Sequence, residues 1–336
     1  MTENKISVII PYAFHDEDID EILTIQERAI YNSNFVNQEF CILMKELSFD
    51  VPIDITLSCL EHQIFEDFEV IVVSKYKTKL DKSKFDLNLK IIKDKDTIWK
   101  DSFALNNARN SGIIKSNGNL LFFLDPLNVF NKNLLSEVWD NYRKDRYITC
   151  NAIRRIKIYP TNEMLRFWRK KYRGNGVGFY FHNKVSWTGT IFKTRELPIH
   201  FTWGYGFSVS NEDVFRLNGF DEIYDGAKGS DDIEFGVRLS RISKRKRVSS
   251  SNLLYELYTG KNTDEFMFSE GIRDNRILLW DWTMKKENYI VANQTKPDTE
   301  FLANYPKRYF SLHKKYPPDG WDRFMDVPTF KLEEIR

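Results

Sequence analysis

Three carboxylates stand close together in the chain and are the strongest candidates for chemistry. Asp231, Asp232 and Glu234 fall within four consecutive positions, shortly after Gly226 and Gly229. Because like charges this close repel one another, such a set typically serves a helix start, a metal ion or proton transfer. The glycines let the chain turn tightly just before the acids. The sequence therefore predicts a helix start capped by Asp231, a catalytic carboxylate group, or both.

The apolar residues after these acids fit two kinds of secondary structure. Ile233, Phe235, Val237 and Leu239 alternate as in a strand, but Phe235, Leu239 and Ile242 also share one face of a helix. The segment begins with acids and ends with bases, which suits the dipole of a helix. Those bases are Arg241, Lys244 and Arg245. The charges therefore favour a helix that begins near Asp231.

A further acid, Asp125, ends the apolar run Asn119–Asp125. Such a run predicts a buried parallel strand, and ligands of open α/β sheets bind at the carboxyl ends of the strands. The alternative interpretation is a turn acid placed before Pro126. Asp125 is therefore a candidate ligand-binding residue at a sheet edge.

Apolar runs and amphipathic segments alternate along the chain and predict the elements that position these acids. Strands are predicted at Ile6–Ile10, Phe68–Val73, Leu89–Ile92, Asn119–Asp125, Tyr147–Cys150 and Arg247–Lys261. Helices are predicted at Asp54–Gln63, Asp101–Ile113 (capped by Asp101 or Ser102) and Asn133–Lys144. A chain of 336 residues with 42% hydrophobic content suits one large α/β domain or two smaller ones.

Composition limits the classes of function and the compartment. With 50 Lys and Arg against 48 Asp and Glu, the net charge of +2 gives no case for a general nucleic-acid binder. The aromatic content of 15% fits a sugar-handling protein, although large cores also use aromatic residues. Cys41, Cys59 and Cys150 are scattered and lack metal-site spacing, so we expect buried thiols in a reducing compartment. We see no signal peptide and no apolar run of about 20 residues. These features predict a soluble cytoplasmic protein and leave peripheral membrane contact open.

Five stretches together resemble the inverting GT-A glycosyltransferases of the large family 2 type. That family includes chondroitin and hyaluronan polymerases and members with a galactosyltransferase-like C-terminal motif. The stretches are Glu69–Val73, Ala108–Ile113, Phe123–Asp125, Asn218–Glu222 and Asp231–Leu239. The resemblance implies an α/β fold of the GT-A kind, with a Rossmann-like mixed, mostly parallel sheet flanked by helices.

The resemblance also implies a division of the chain. A GT-A domain would span residues 1–265, with a nucleotide-binding half at about 5–128 and an acceptor half at about 150–265. Residues from about 15 to 52 depart from the family as an insertion, which we interpret as a surface for an acceptor or a homo-oligomer. Residues 266–336 would form a helical or irregular C-terminal extension, and a helix is predicted at Asp264–Asn288.

The implied chemistry is transfer of a sugar from a nucleotide-diphosphate sugar, typically a UDP-sugar, to a hydroxyl of a glycan or lipid-linked saccharide. The second acid of the cluster, Asp232, corresponds to the family's general base. Asp231 and Glu234 would hold or tune Asp232, or bind acceptor hydroxyls. The residues expected to form the acceptor wall are Trp203, Gly204 and Tyr205.

The resemblance places the donor nucleotide along the first half of the chain. Pro11 and Tyr12 would lie in the loop that holds the base, and Arg109 and Asn110 would shape the nucleotide pocket. For Arg109 a surface ion pair is the alternative. Ser74 stands where the family usually has an Asp that binds uracil or its ribose, and its hydroxyl still offers a donor and an acceptor.

The metal site of the family is altered in this chain. The family carries Asp-x-Asp where this chain reads Asp125-Pro-Leu-Asn128, so Leu127 replaces the second acid. Glu256 replaces a family His and is a competent ligand for Mn²⁺ or Mg²⁺. The cofactor would therefore be Mn²⁺ or Mg²⁺ at Asp125 and Glu256. A metal-free site with the diphosphate neutralised by Lys and Arg is equally open.

Two further interpretations stay open at this point. The basic segment from 151 to 200, with a mobile loop predicted at Gly174–Gly178, is either a lid that neutralises phosphate or a solvated surface. The departures at Ser74, Leu127 and Glu256 also allow a catalytically silent GT-A domain that binds nucleotides, glycans or another partner. A nucleotidyltransferase is disfavoured, because no Gly-rich, Lys-bearing loop follows the first strand.

Overall fold

The computed structural model describes residues 5–13, 53–76, 79–95, 104–156, 177–182, 185–190, 195–202, 206–222, 225 and 231–256. The predicted insertion near 15–52, the extension 266–336 with the predicted helix Asp264–Asn288, and the proposed acceptor wall Trp203, Gly204 and Tyr205 lie outside these residues.

The elements of the first part of the chain largely follow the predicted order of strands and helices. The first part of the chain contains β1 (Ile6–Tyr12), α1 (Asp54–Glu61), β2 (Phe68–Ser74), β3 (Leu89–Lys93), α2 (Leu105–Lys115), β4 (Leu120–Leu124), β5 (Asn128–Val129) and α3 (Leu134–Tyr142). The second part contains β6 (Arg146–Ile156), β7 (Val177–His182), β8 (Val185–Thr190), β9 (Glu196–Leu197), β10 (Gly206–Ser210), α4 (Asn211–Arg216), α5 (Asp231–Ile242) and β11 (Lys246–Glu256).

One mixed sheet runs through both parts in the order β3-β2-β1-β4-β10-β6-β11-β5. The first four strands are parallel, β10 is antiparallel to both β4 and β6, and β11 is again parallel to β6. Parallel pairs outnumber antiparallel pairs along this path, and helices pack on the sheet. The predicted α/β fold class, with a mixed, mostly parallel sheet flanked by helices, is confirmed.

Helix α2 lies tightly against the first strands. A Cβ added at Gly112 would lie 2.5 Å from Cγ2 of Ile9 in β1 and 3.2 Å from Cγ2 of Val73 in β2. Only a glycine allows this close approach of helix and sheet. The packing fixes the height of α2 above the sheet, and with it the positions of Arg109 and Asn110 one turn earlier.

A cluster of phenylalanines joins the two parts of the chain. Phe123 of β4 stacks on Phe207 of β10 with ring centroids 5.0 Å apart, and meets Phe220 edge-on at 5.2 Å. Phe220 in turn stacks on Phe235 of α5 at 4.2 Å. Such ring pairs contribute beyond the area they bury. The cluster therefore packs α5 and the segment around Phe220 against β4, the strand that Asp125 follows.

Several predicted boundaries are corrected by the structure. Helix α2 begins at Leu105, and the residue at its N-cap, Ala104, supplies no side-chain bond. Strand β11 begins at Lys246, one residue before the predicted start at Arg247. Val177 and Gly178 belong to strand β7 and not to a mobile loop, because the chain pairs there with β8.

Two other predictions are confirmed. The acid-led segment is a helix that begins at Asp231, so the strand alternative is excluded. Of the three cysteines predicted to be buried, Cys59 and Cys150 are buried free thiols, and Cys41 lies outside the described residues. Burial raises the pKa of Cys59 to about 12.

Candidate active site

The predicted donor residues gather at one edge of the sheet. Tyr12 of β1 pairs in register with Ser74 of β2. Ile9 of β1 pairs with Phe123 of β4. Pro11 follows Ile9 by two residues, and Asp125 follows Phe123 by two residues. The carboxyl ends of parallel strands thus bring the predicted residues together, as expected for this kind of sheet.

Ser74 takes part in the local turn at this edge. Its hydroxyl donates to the Tyr76 carbonyl at 2.6 Å, and its carbonyl accepts from the Asp94 N–H at 3.4 Å. Ser74 and Tyr12 are both almost fully buried. The Ser74 hydroxyl therefore already donates its hydrogen bond to a backbone carbonyl of the same chain.

Arg109 and Asp231 form a buried ion pair across the two parts of the chain. The Arg109 Nη1 lies 2.5 Å from Asp231 Oδ2, and the two residues are 2% and 8% exposed. The guanidinium also lies over the Phe220 ring at 4.9 Å. Arg109 is thus not a surface ion pair, and Asp231 has a charged partner on α2. The pair ties the start of α5 to α2.

Asn110, the next residue along α2, holds the Asn218–Glu222 motif. Its amide donates to the Phe220 carbonyl at 2.9 Å and to Glu222 at 2.7 Å, and its oxygen accepts the Phe220 N–H at 2.9 Å. Lys95 adds an ion pair to Glu222 at 2.5 Å. Burial raises the pKa of Glu222, although Lys95 and Asn110 oppose part of that rise. Asn110 therefore acts on the site through the 218–222 segment.

Asp225 caps helix α2 from a distant part of the sequence. Its two carboxylate oxygens accept the N–H groups of Asn106 and Asn107 at 2.8 and 2.9 Å. Burial first, and then the nearby Glu222 carboxylate, raise the pKa of Asp225 well above its ordinary value. Sequence reasoning missed both Asp225 and Lys95. The one sequence signal for Asp225 was the lack of a capping side chain at Ala104.

Glu234, the third acid of the cluster, is paired within its own helix. Arg238, one turn later, approaches its carboxylate with Nε at 2.6 Å and Nη2 at 2.8 Å. A third guanidinium nitrogen donates to the Leu217 carbonyl at 2.8 Å. Both side chains are buried. Glu234 thus holds Arg238, which in turn links α5 to Leu217, the residue after α4.

Asp232 differs from its two neighbours in exposure. It is half-buried, whereas Asp231 and Glu234 are buried. Its carbonyl accepts a hydrogen bond of 2.5 Å from the Thr202 hydroxyl. The segment that carries Thr202 reaches this point because Gly236 has no side chain, since a Cβ there would lie 2.6 Å from Thr202 Oγ1 and still closer to the His200 carbonyl. Of the three acids, Asp232 is the one that the fold leaves partly open to solvent.

The backbone positions of the two proposed metal ligands are related by strand pairing. Asp125 directly follows β4 and is half-buried, and Glu256 at the end of β11 pairs with Asn128, three residues after Asp125. No group of three or more His, Cys, Asp or Glu that could hold a metal occurs among the residues that the structure describes. Two carboxylates suffice for Mg²⁺ or Mn²⁺ when substrate phosphates complete the coordination shell. By residue type, these two carboxylates are the kind of donor that a divalent ion shared with a diphosphate would take.

Leu127 and Gly206 lie close to Asp125 along the chain or across the sheet. Leu127, in the place of the family's second acid, is 4% exposed and belongs to the core. Gly206 pairs with Leu124, the residue before Asp125. The described chain therefore enters β10 at the edge where Asp125 stands. Helices long and apolar enough to span a bilayer are absent from the described ranges.

Solved structures similar to this chain share little sequence identity with it. No protein-family model and no curated protein matches the chain. The S. aureus TarS 1–349 structure is similar with a TM-score of 0.48 and 15% identity, over 94% of this chain and 74% of that one. Its complex with UDP-GlcNAc scores 0.48 at 16% identity, over 94% and 75% of the two chains. GalNAc-T7 with UDP, GalNAc and Mn²⁺ scores 0.45 at 14% identity, over 76% and 44%. All three TM-scores are below 0.5.

Proposed function

We propose that the chain is an inverting GT-A glycosyltransferase with Asp232 as its general base. It would move a sugar from a nucleotide-diphosphate sugar, with UDP-sugars as the preferred class, to a hydroxyl of a glycan or lipid-linked acceptor. The observation that carries this proposal is the unequal burial of the three acids. Asp231 and Glu234 are buried, while Asp232 is half-buried at the start of α5.

The position of Asp232 suits a base. The N-terminus of the helix α5 favours the ionised carboxylate, which is the form that accepts a proton. The ion pairs of Asp231 and Glu234 balance the neighbouring negative charges and fix the first turn of the helix. A base must be held within hydrogen-bond reach of the proton it takes, and a fixed backbone provides that.

The chemistry would be a single displacement. Asp232 takes the proton of the acceptor hydroxyl as the hydroxyl oxygen bonds to the anomeric carbon of the sugar. The bond from that carbon to the diphosphate breaks on the opposite face, so configuration is inverted and a nucleotide diphosphate leaves. Asp125 and Glu256 would hold Mn²⁺ or Mg²⁺, and the bound ion would offset the charge of the leaving diphosphate.

The remaining predicted residues would bind the two substrates. Pro11, Tyr12 and Ser74 would lie beside the nucleotide at the edge of the sheet. Arg109 and Asn110 would shape that pocket from behind, because both are buried in contacts with α5 and the 218–222 segment. The acceptor wall at 203–205, cytoplasmic placement, peripheral membrane contact and a homo-oligomer stay predictions.

A second candidate function is a catalytically silent GT-A domain that binds nucleotide or glycan. Two observations favour it. The Ser74 hydroxyl is engaged with the Tyr76 carbonyl, and the buried Leu127 replaces a family acid. Both changes weaken donor and metal contacts and leave Asp232 in place. The two functions therefore differ in whether bound donor is consumed.

A panel of nucleotide sugars tests the two functions directly. We expect hydrolysis or transfer with one class of donor, and a loss of kcat of about 10²- to 10⁴-fold in Asp232→Asn, because general-base catalysis contributes about that much. Glu212→Gln is the matched control, since it removes an exposed acid from the first turn of α4.

Three outcomes have distinct meanings. Unchanged turnover in Asp232→Asn would remove Asp232 as the base. Donor binding without consumption would favour the silent domain. A chain that binds no nucleotide diphosphate, with or without Mn²⁺, is incompatible with both functions.

A further inference from the structure

Strand β11 contains two extra residues relative to its parallel neighbour β6. Ser249 pairs with Thr149, but the next pair is Leu253 with Asn151. Between these two paired positions, β11 therefore advances by four residues while β6 advances by two. Because side chains alternate with a period of two, both parts of β11 keep their faces. The bulge changes only how far along the sheet each later residue stands.

One carboxylate from α3 collects the donors of this bulge. Glu137 accepts from the Ser251 N–H at 2.7 Å and the Asn252 N–H at 3.3 Å. It also accepts from the hydroxyls of Ser250 and Ser251 at 2.6 and 2.8 Å and from the Asn252 amide at 2.7 Å. A bulge leaves backbone groups without ladder partners, and Glu137 supplies an acceptor for them.

The carboxylate is ionised in this setting. Burial alone would raise the pKa of Glu137, but the hydrogen bonds from Ser250, Ser251 and Asn252 outweigh it and hold the pKa below its ordinary value. Hydrogen bonds to a charged acceptor are stronger than those between neutral groups. The bulge is thus pinned to helix α3 by a charge.

The residues after the bulge lead to the proposed metal site. Tyr255 and Glu256 pair with Val129 and Asn128 of β5, just beyond the turn that begins at Asp125. If β11 lost its bulge and continued in register with β6, every later residue would move two positions, or about 7 Å at roughly 3.3 Å per residue. Glu256 would then no longer stand opposite Asn128.

We propose that Glu137 is a positioning residue that clamps the 250–252 bulge and so holds Glu256 opposite Asn128, three residues after Asp125. The inference rests on the proposed function, in which Glu256 is a metal ligand. Glu137 touches neither substrate nor metal and acts through the register of β11. Groups behind metal ligands typically change metal affinity by about 10- to 100-fold when removed.

The test compares Glu137→Gln with Asp140→Asn in the full chain. Glu137→Gln keeps the shape of the side chain and removes the charge, while Asp140 is an exposed acid on the same helix whose Arg143 ion pair is also exposed. Mn²⁺ affinity is measured by titration in the presence of UDP, and amide hydrogen exchange is followed at Ser251, Asn252 and Glu256. We expect Mn²⁺ affinity to fall about 10-fold or more, with faster exchange at all three amides and little change in UDP affinity without metal. Asp140→Asn should resemble the wild type in every measurement.

A second variant guards against a trivial loss of folding. Ser251→Ala removes the Ser251 hydroxyl, which is one of the side-chain donors to the Glu137 carboxylate. We expect Mn²⁺ affinity to fall in this variant as well, by less than in Glu137→Gln. Normal Mn²⁺ affinity in Glu137→Gln, with or without lower thermal stability, would overturn the role of Glu137. If the wild type itself binds neither UDP nor Mn²⁺, the proposed function fails and this role of Glu137 fails with it.

Discussion

The ion pair between Arg109 and Asp231 gives the sharpest test of how α2 holds α5. Its atoms are 2.5 Å apart, and the residues are 2% and 8% exposed, so neither charge is well solvated alone. Removing one partner of a buried pair leaves the other charge uncompensated and costs about 3–5 kcal/mol of unfolding free energy. We therefore expect a loss of about that size in Arg109→Met and in Asp231→Asn.

The chain contains a matched control with nearly the same geometry. Arg143 and Asp140 are 2.6 Å apart, but their side chains are 64% and 52% exposed. Exposed pairs contribute about 0–1 kcal/mol, because water already solvates both charges. Asp140→Asn should therefore change the unfolding free energy by no more than that.

Urea unfolding of the single and double variants supplies the measurement. In Arg109→Met with Asp231→Asn, both charges are gone, so the double variant should lose clearly less than the two single losses together. If either single variant loses no more than the Asp140→Asn control, the pair is not buried as described. The proposed link between α2 and the start of α5 would then be wrong.

Two further predictions follow from the same contacts. Gly236→Ala places a methyl group against Thr202 and should shift the start of α5. We therefore expect kcat in steady-state kinetics to fall by about 10²-fold, while UDP titration shows that nucleotide binding is retained. The control Ser240→Ala should leave kcat unchanged, and an unchanged kcat in Gly236→Ala would contradict this prediction. Asp225 has a raised pKa in the folded chain, so its contribution to stability is present below its ordinary value of 3.8 and is lost as pH rises through the folded value. Asp225→Asn should remove that part of the pH dependence, and parallel urea midpoints for the two proteins between about pH 4 and 7 would refute it.

Local patterns in the sequence were enough to predict much of the fold. The apolar runs that became β1, β2 and β4 are wholly or almost wholly buried, and burial on both faces is what such runs require. The acids before Phe235 and the bases around Ile242 correctly indicated a helix, because the dipole acts within one turn of each end. Element ends were less certain, as at Ala104 and Val177, because tertiary contacts decide them.

By itself, the sequence determined the alternation of strands and helices and the acidic start of α5. It did so because periodicity and helix charge depend on neighbours a few residues away. Only the tertiary structure decided which of these acids is buried and which is partly exposed. Asp231 meets a partner 122 residues away, Asp225 caps a helix 119 residues away and Glu137 binds a bulge 114 residues away. Such pairings depend on the three-dimensional packing of the sheet, which brings together residues whose distance along the chain carries no local signal.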